Sequence, residues 1–186
     1  MIIAVSGRKR AHDVKVDLGC ADFILISSTD VRPIHAYPGG KKLASIKNVV
    51  FGVLEEYDLK PAETGKDNDL NDIEQSYFNN GGYFGVAVDI NSNNIVGTFG
   101  LYTVNKDVCE LRKMYLLKHV RGKGLGRSIL TYTIEIAKEK HYTKIILETI
   151  SPLKEAINLY RQNGFKEIIP LEVNDRVDQA FELKLI

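Results

Sequence analysis

Three glycines at alternate positions, set between two apolar patterns of different period, restrict this chain more than any other stretch. An apolar strand pattern from Val108 to Leu116 leads into Arg121-Gly122-Lys123-Gly124-Leu125-Gly126-Arg127, and a helical pattern leaves it. Glycine lets successive backbone N–H groups converge with no side chain in the way. The helix that follows adds N–H donors without intrahelical partners and the positive end of its dipole. Arg121, Lys123 and Arg127 raise the positive potential further. Together these features make an anion cradle suited to a pyrophosphate.

Two familiar phosphate loops do not fit. A nucleoside-triphosphate loop needs Gly, four residues, then Gly-Lys-Ser/Thr, and a dinucleotide loop needs Gly-x-Gly-x-x-Gly after an early parallel strand. Here the spacing is Gly-x-Gly-x-Gly, late in the chain. Arg121 to Gly126 instead resembles the Arg/Gln-x-x-Gly-x-Gly/Ala signature of the GNAT superfamily of acetyl-CoA-dependent N-acetyltransferases. Leu111 to Leu116 resembles the strand that precedes that loop, and Ala156 to Phe165 resembles the later helix ending in Tyr-x-x-x-Gly-Phe. The resemblance covers roughly Asp30 to Ile186, so the expected organisation is an N-terminal extension, 1–28, followed by an N-acetyltransferase domain, 29–186.

The element pattern agrees with an α+β class. Apolar residues at Leu43, Ile46, Val49, Val50, Val53 and Leu54 predict a helix over Lys41–Tyr57. A second helix is expected over Leu70–Phe78, capped by Asp67 or Asp69 and stopped at Gly81-Gly82. Val31–His35, Tyr83–Asp89, Asn94–Leu101 and Val108–Leu116 read as strands, the last three as an antiparallel meander. Helix Leu125–Lys140 then crosses over to strand Lys144–Glu148, which implies parallel pairing with Val108–Leu116. A helix from Pro152 to Gly164 and strands at Phe165–Ile168 and Ala180–Leu185 close the chain. The expected architecture is a mixed, mostly antiparallel twisted sheet with helices on both faces. Before Ser28, Val14–Leu18 alternates and Phe23–Ile26 is apolar, which leaves an added strand, a dimer contact and a loose extension open.

The resemblance also implies a site. Two adjacent parallel strands should splay where a bulge interrupts pairing, admitting the pantetheine arm. Met114, Tyr115 and Leu116 would contact it through their backbone, and Arg121, Gly122, Lys123, Gly124, Leu125, Gly126 and Arg127 would hold the pyrophosphate. A primary amine is largely protonated at neutral pH, so transfer needs a base. Glu110 is the first candidate, four residues before Met114 and on its face if pairing is regular; a plain ion pair with Arg112 is the rival reading. Glu148 is the second. Tyr160 matches the family tyrosine that protonates the departing thiolate. Leu153 stands where many relatives carry an asparagine, with Ser151 a candidate substitute.

Composition narrows the setting. The 186 residues carry 25 Lys and Arg against 24 Asp and Glu, which gives no global bias towards nucleic acid or membrane. Two cysteines make no disulfide framework, Cys109 reads as a small buried hydrophobe, and four scattered histidines point away from a metal site. The apolar start is too short for a signal peptide, so a reducing cytoplasmic setting is expected. Acids at Glu55, Glu56, Asp58, Glu63, Asp67, Asp69, Asp72 and Glu74 predict an acceptor region that attracts a cationic amine. The expected partners are acetyl-CoA and an amine, a small molecule rather than a peptide or protein, and a homodimer is left open. A non-catalytic acyl-CoA-binding module and a dinucleotide-binding protein are the competing classes.

Overall fold

Strand alternation and helical periodicity in the sequence become two apolar layers on one sheet. In this computed structural model the backbone is described for residues 14–17, 22–26, 29–33 and 42–185, and side chains for residues 43–185. Nine strands occur among the described residues: β1 (Val14–Asp17), β2 (Asp22–Ile26), β3 (Thr29–Pro33), β4 (Tyr83–Asp89), β5 (Ile95–Thr103), β6 (Val108–Leu116), β7 (Lys144–Thr149), β8 (Lys166–Ile168) and β9 (Gln179–Lys184). They lie in the order β1-β2-β3-β4-β5-β6-β7-β9-β8. Every adjacent pair is antiparallel except β6 and β7, whose connection passes through a helix. The α+β class and the mixed, mostly antiparallel sheet expected from the sequence are therefore what the chain adopts.

Helix α1 (Lys42–Glu55) covers one face. Its Ile46, Val49, Val50 and Leu54 pack with Leu70, Tyr77, Phe84, Val86 and Val88. Helices α2 (Leu125–Glu139) and α3 (Lys154–Gln162) sit on the other. There Leu125, Ile129, Leu130 and Ile136 of α2, with Ile157 and Tyr160 of α3, close over Phe99, Leu111, Ile145 and Phe181. Cys109 is fully buried in that layer. Burial of this kind contributes about 1.5–3 kcal/mol per large side chain and outweighs local propensity in fixing the layers.

Several boundaries differ from the sequence reading. The first helix ends at Glu55, and the strand expected over Val31–His35 is Thr29–Pro33; the break expected at Pro38–Gly40 lies outside the described residues. Residues 14–17 and 22–26 add two strands to the sheet edge beyond β3. The second helix is not continuous. A 3-10 turn spans Asn68–Leu70 and a single π-type turn spans Glu74–Phe78. Neither Asp67 nor Asp69 caps it. Asp67 is bound by Arg176 and Lys113, Asp69 accepts the Tyr77 hydroxyl, and the Gln75 N–H goes to Asp72 at 2.9 Å.

The central strand carries the feature that positions everything else. Against β5, Thr98 faces Tyr115 but Gly100 faces Arg112, so β6 holds one extra residue between them. Lys113 sits in that bulge with φ 54°, a left-handed conformation that a side chain adopts only at a cost of about 1–2 kcal/mol. On the other side, β6 pairs with β7 only from Val108↔Lys144 to Glu110↔Ile146. Beyond Glu110 the two strands part. β7 continues along β9 as far as Thr149↔Gln179, and β6 continues along β5 to Leu116.

Candidate active site

The parted strands form the wall of a cleft of about 1210 Å³ that runs from the glycine loop to the residue 66–69 turn. Its two ends differ in chemistry.

At one end lies the basic loop. Gly124 is the residue before α2 and has φ 88°, and Gly122 has φ 74°, both in the left-handed region. A Cβ built at either would meet nothing within 4 Å, so the loop faces open space. The first helical bond of α2 runs from the Ser128 N–H to the Gly124 carbonyl at 3.1 Å. The N–H groups before it are left for an anion. Gly126 instead packs, since a Cβ there would lie 3.5 Å from Leu159. Of the residues expected to hold a pyrophosphate, Arg121, Gly122, Gly124, Gly126 and Arg127 line the cleft. Lys123 is exposed outside it and Leu125 is buried in the core.

Arg121 is not a free cation. Its Nε donates to the Leu116 carbonyl at 2.7 Å and its Nη1 to Glu56 at 2.7 Å, which ties the loop to both β6 and the end of α1. Its Nη2 is buried with no hydrogen-bond partner among the described residues. An orphaned donor of this type, beside open glycines, suits a phosphate oxygen. Arg127 reaches Gln162 of α3 at 2.6 Å.

At the middle, Met114, Tyr115 and Leu116 line the cleft. Ordinary strand alternation separates their faces. Met114 and Leu116 pack toward the α2 side and Tyr115 toward the α1 side. The premise that Glu110 shares the face of Met114 fails for a different reason: the bulge at Lys113 lies between them and shifts the alternation. Glu110 lies on the α1 side, where its carboxylate meets Arg112 at 2.5 Å and the Arg112 guanidinium lies 3.9 Å over the Tyr102 ring. Glu148 is two residues beyond the last β6–β7 pair, and burial, with the negative charge of Glu110 next, raises its carboxyl above the ordinary range. Burial, followed by the nearby Tyr115, pushes the Tyr160 hydroxyl well above its usual value. That hydroxyl has no hydrogen-bond partner among the described residues and lines the cleft.

The far end rests on a buried ionic cluster. Lys113 donates to Asp67 at 2.7 Å and to the Lys66 carbonyl at 2.7 Å, and lies 3.2 Å from Asp69. Arg176 binds both Asp67 oxygens, at 2.6 and 3.1 Å. Burial alone would raise the Asp67 carboxyl, but the bonds from Arg176, Lys113 and the Ala62 N–H hold it far below the carboxylate range.

This arrangement corrects the expected acidic acceptor region. Of its eight acids only Asp69 lines the cleft. Glu63 is paired with Lys47, Glu56 with Arg121, and Asp67 with two cations. Ser151 does not substitute at the cleft either: its hydroxyl accepts from Gln179 at 3.1 Å, and Leu153 is the lining residue. Lys66, Arg112 and Arg176 are cleft residues that sequence reasoning did not place. Arg176 carried no local signal, being 109 positions from its partner. Among the described residues no group of three His, Cys, Asp or Glu side chains is set to hold a metal, and no helix is long and apolar enough to cross a membrane.

Comparison with known proteins bears on this geometry. The model of the acetyltransferase (GNAT) family matches residues 52–165. The chain is 35% identical over 130 residues to the uncharacterized N-acetyltransferase YjgM of Escherichia coli K12, covering 67% of this chain and 76% of that one. It is 34% identical over 112 residues to the N-acetylaspartate synthetase of Xenopus tropicalis, covering 59% of this chain and 41% of the relative. A GNAT-family acetyltransferase from Staphylococcus aureus superposes with a TM-score of 0.74 at 27% identity, over 85% of this chain and 99% of that one. A spermidine N-acetyltransferase from Vibrio cholerae, in complex with CoA and spermine, superposes with a TM-score of 0.60 at 19% identity, over 84% and 94%.

Proposed function

Because this chain belongs to the acetyltransferase (GNAT) family, and is an enzyme of that kind, we propose that it transfers the acetyl group of acetyl-CoA to a primary amine of a small molecule. The observation that carries the finer reading is the splay of β6 from β7 beyond Glu110, with the open glycine loop at one end and ionisable residues at the other. Structural neighbours solved with acetyl-CoA or CoA bound support the co-substrate.

In this reading Gly122, Gly124, Gly126, Arg121 and Arg127 take the diphosphate. The unpaired backbone of β6 near Met114, Tyr115 and Leu116 lies along the pantetheine arm and bonds the thioester carbonyl. The amine attacks the carbonyl carbon directly in a ternary complex, the C–S bond breaks, and the thiolate leaves. Glu148 is the better placed base, since a carboxylate with raised proton affinity collects the ammonium proton more readily. Glu110, held by Arg112, orients the amine instead. Tyr160 stays protonated at any working pH and donates to the departing sulfur.

The test is free-thiol release from acetyl-CoA across amino acids, polyamines, aminoglycosides and peptides, with calorimetry on CoA and acetyl-CoA. Heat with acetyl-CoA but no thiol release with any amine would make the chain a binding module and sink the enzymatic reading. No heat with either ligand would sink the cleft assignment.

A further inference from the structure

The acceptor half of the cleft carries both signs of charge in near balance. Lys66, Arg112, Lys113 and Arg176 face Asp69, Glu110 and Glu148 along its wall, four cations against three carboxylates, and Asp67 beneath them makes the count even. A site for a polycation needs an excess of carboxylates, which is absent here.

One pair within this set is built to be read from outside. Glu110 and Arg112 lie two residues apart on the same face of β6 and touch through a single contact, Nη2 to Oε2. The Arg112 guanidinium carbon lies 3.9 Å over the centre of the Tyr102 ring. The second Glu110 oxygen and the other Arg112 donors have no partner among the described residues, and both side chains line the cleft. Such a pair shows a negative and a positive end side by side. Its complement shows a positive and a negative end at similar spacing and lies along it head to tail.

Resting on the acetyl-transfer reading above, we infer that the acceptor is a zwitterion, an α-amino acid or close analogue, whose ammonium meets Glu110 and whose carboxylate meets Arg112. A planar guanidinium takes a carboxylate through two parallel N–H bonds, which a lysine ammonium does not reproduce. A simple amine brought to the same place adds a second positive charge beside Arg112 and offers its remaining donors no carboxylate.

The experiment measures thiol release for a panel of α-amino acids, each beside its α-amide and its decarboxylated amine, with spermidine as the polycation. The best amino acid should exceed its amide and amine in kcat/KM by roughly 10- to 100-fold, the range for a hydrogen bond to a charged group. In Arg112→Gln that preference should collapse through the KM of the acid, and Arg112→Lys should restore only part of it. Thermal midpoints and acetyl-CoA heats, run alongside, separate this from misfolding. Turnover of amides and amines as readily as acids, or a preference that survives Arg112→Gln, overturns the inference and leaves acetyl transfer standing. No turnover with any compound overturns both.

Discussion

Replacing Lys113 by alanine removes three interactions of one ammonium: 2.7 Å to Asp67, 2.7 Å to the Lys66 carbonyl and 3.2 Å to Asp69. Breaking a buried ion pair from one side costs about 3–5 kcal/mol, and because Arg176 still chelates Asp67 the lower figure of about 3 applies. For a chain of this size that is a fall in Tm of about 6–12 °C. The pH dependence has a definite sign. The Asp67 carboxyl is depressed in the folded state, so its contribution is complete above its unfolded pKa of about 3.9 and is lost as the pH falls below that. The gap between wild type and Lys113→Ala should thus be constant from pH 5 to 7 and narrow below pH ~4. Lys113→Gly loses the same charge but relieves the left-handed backbone, so it should be about 1 kcal/mol more stable than the alanine variant. Urea and thermal unfolding at several pH values measure all of this. A loss below about 1 kcal/mol in Lys113→Ala, or a glycine variant weaker than alanine, would refute the claim that the cluster holds a strained bulge.

Other substitutions separate the roles assigned to the cleft. Gly124→Glu places a carboxylate in the open space of the loop and should weaken acetyl-CoA binding more than 100-fold by calorimetry, whereas Gly126→Ala, with room 3.5 Å from Leu159, should bind within a few-fold of wild type. Glu148→Gln should abolish the acid limb of the pH–kcat profile, a limb that lies above the ordinary glutamate range. Since a carboxyl raised on folding costs stability at neutral pH, that variant should not lower Tm there. Tyr160→Phe removes a hydroxyl with no hydrogen-bond partner among the described residues, so kcat should drop roughly 10²- to 10⁴-fold with stability unchanged; an unaltered kcat would exclude a proton-donating role.

How legible was this in the sequence? The meander, the crossover to β7 and the loop before α2 were readable because each rests on local rules: alternation, helical period and glycine spacing. The helical period marks Leu125, Ile129, Leu130, Thr133, Ile134 and Ala137 as the buried side of α2; Ile134 is only half-buried, and Tyr132 and Ile136 are buried as well. The second helix misled because Asp67 and Asp69 look like caps in isolation but are claimed by partners far along the chain. Lys113 was harder still. In an alternating strand a lysine reads as solvated, and the partners that account for its burial, Asp67, Asp69 and the Lys66 carbonyl, lie more than 40 positions away along the chain. The facing of Glu110 went with it, since one inserted residue reverses every side chain downstream. Charge was misjudged likewise: an acidic run announces itself in sequence, but the cations that neutralise it come from other elements.

The gap between β6 and β7 is braced from behind on both lips, by the β5 ladder on one and the β9 ladder on the other. Closing it would mean tearing one of those ladders, so the notch stands ready-made before any guest arrives. A guest entering it need not first prise a sheet apart, and the entropy lost on association falls mainly on the long, supple arm of the guest itself.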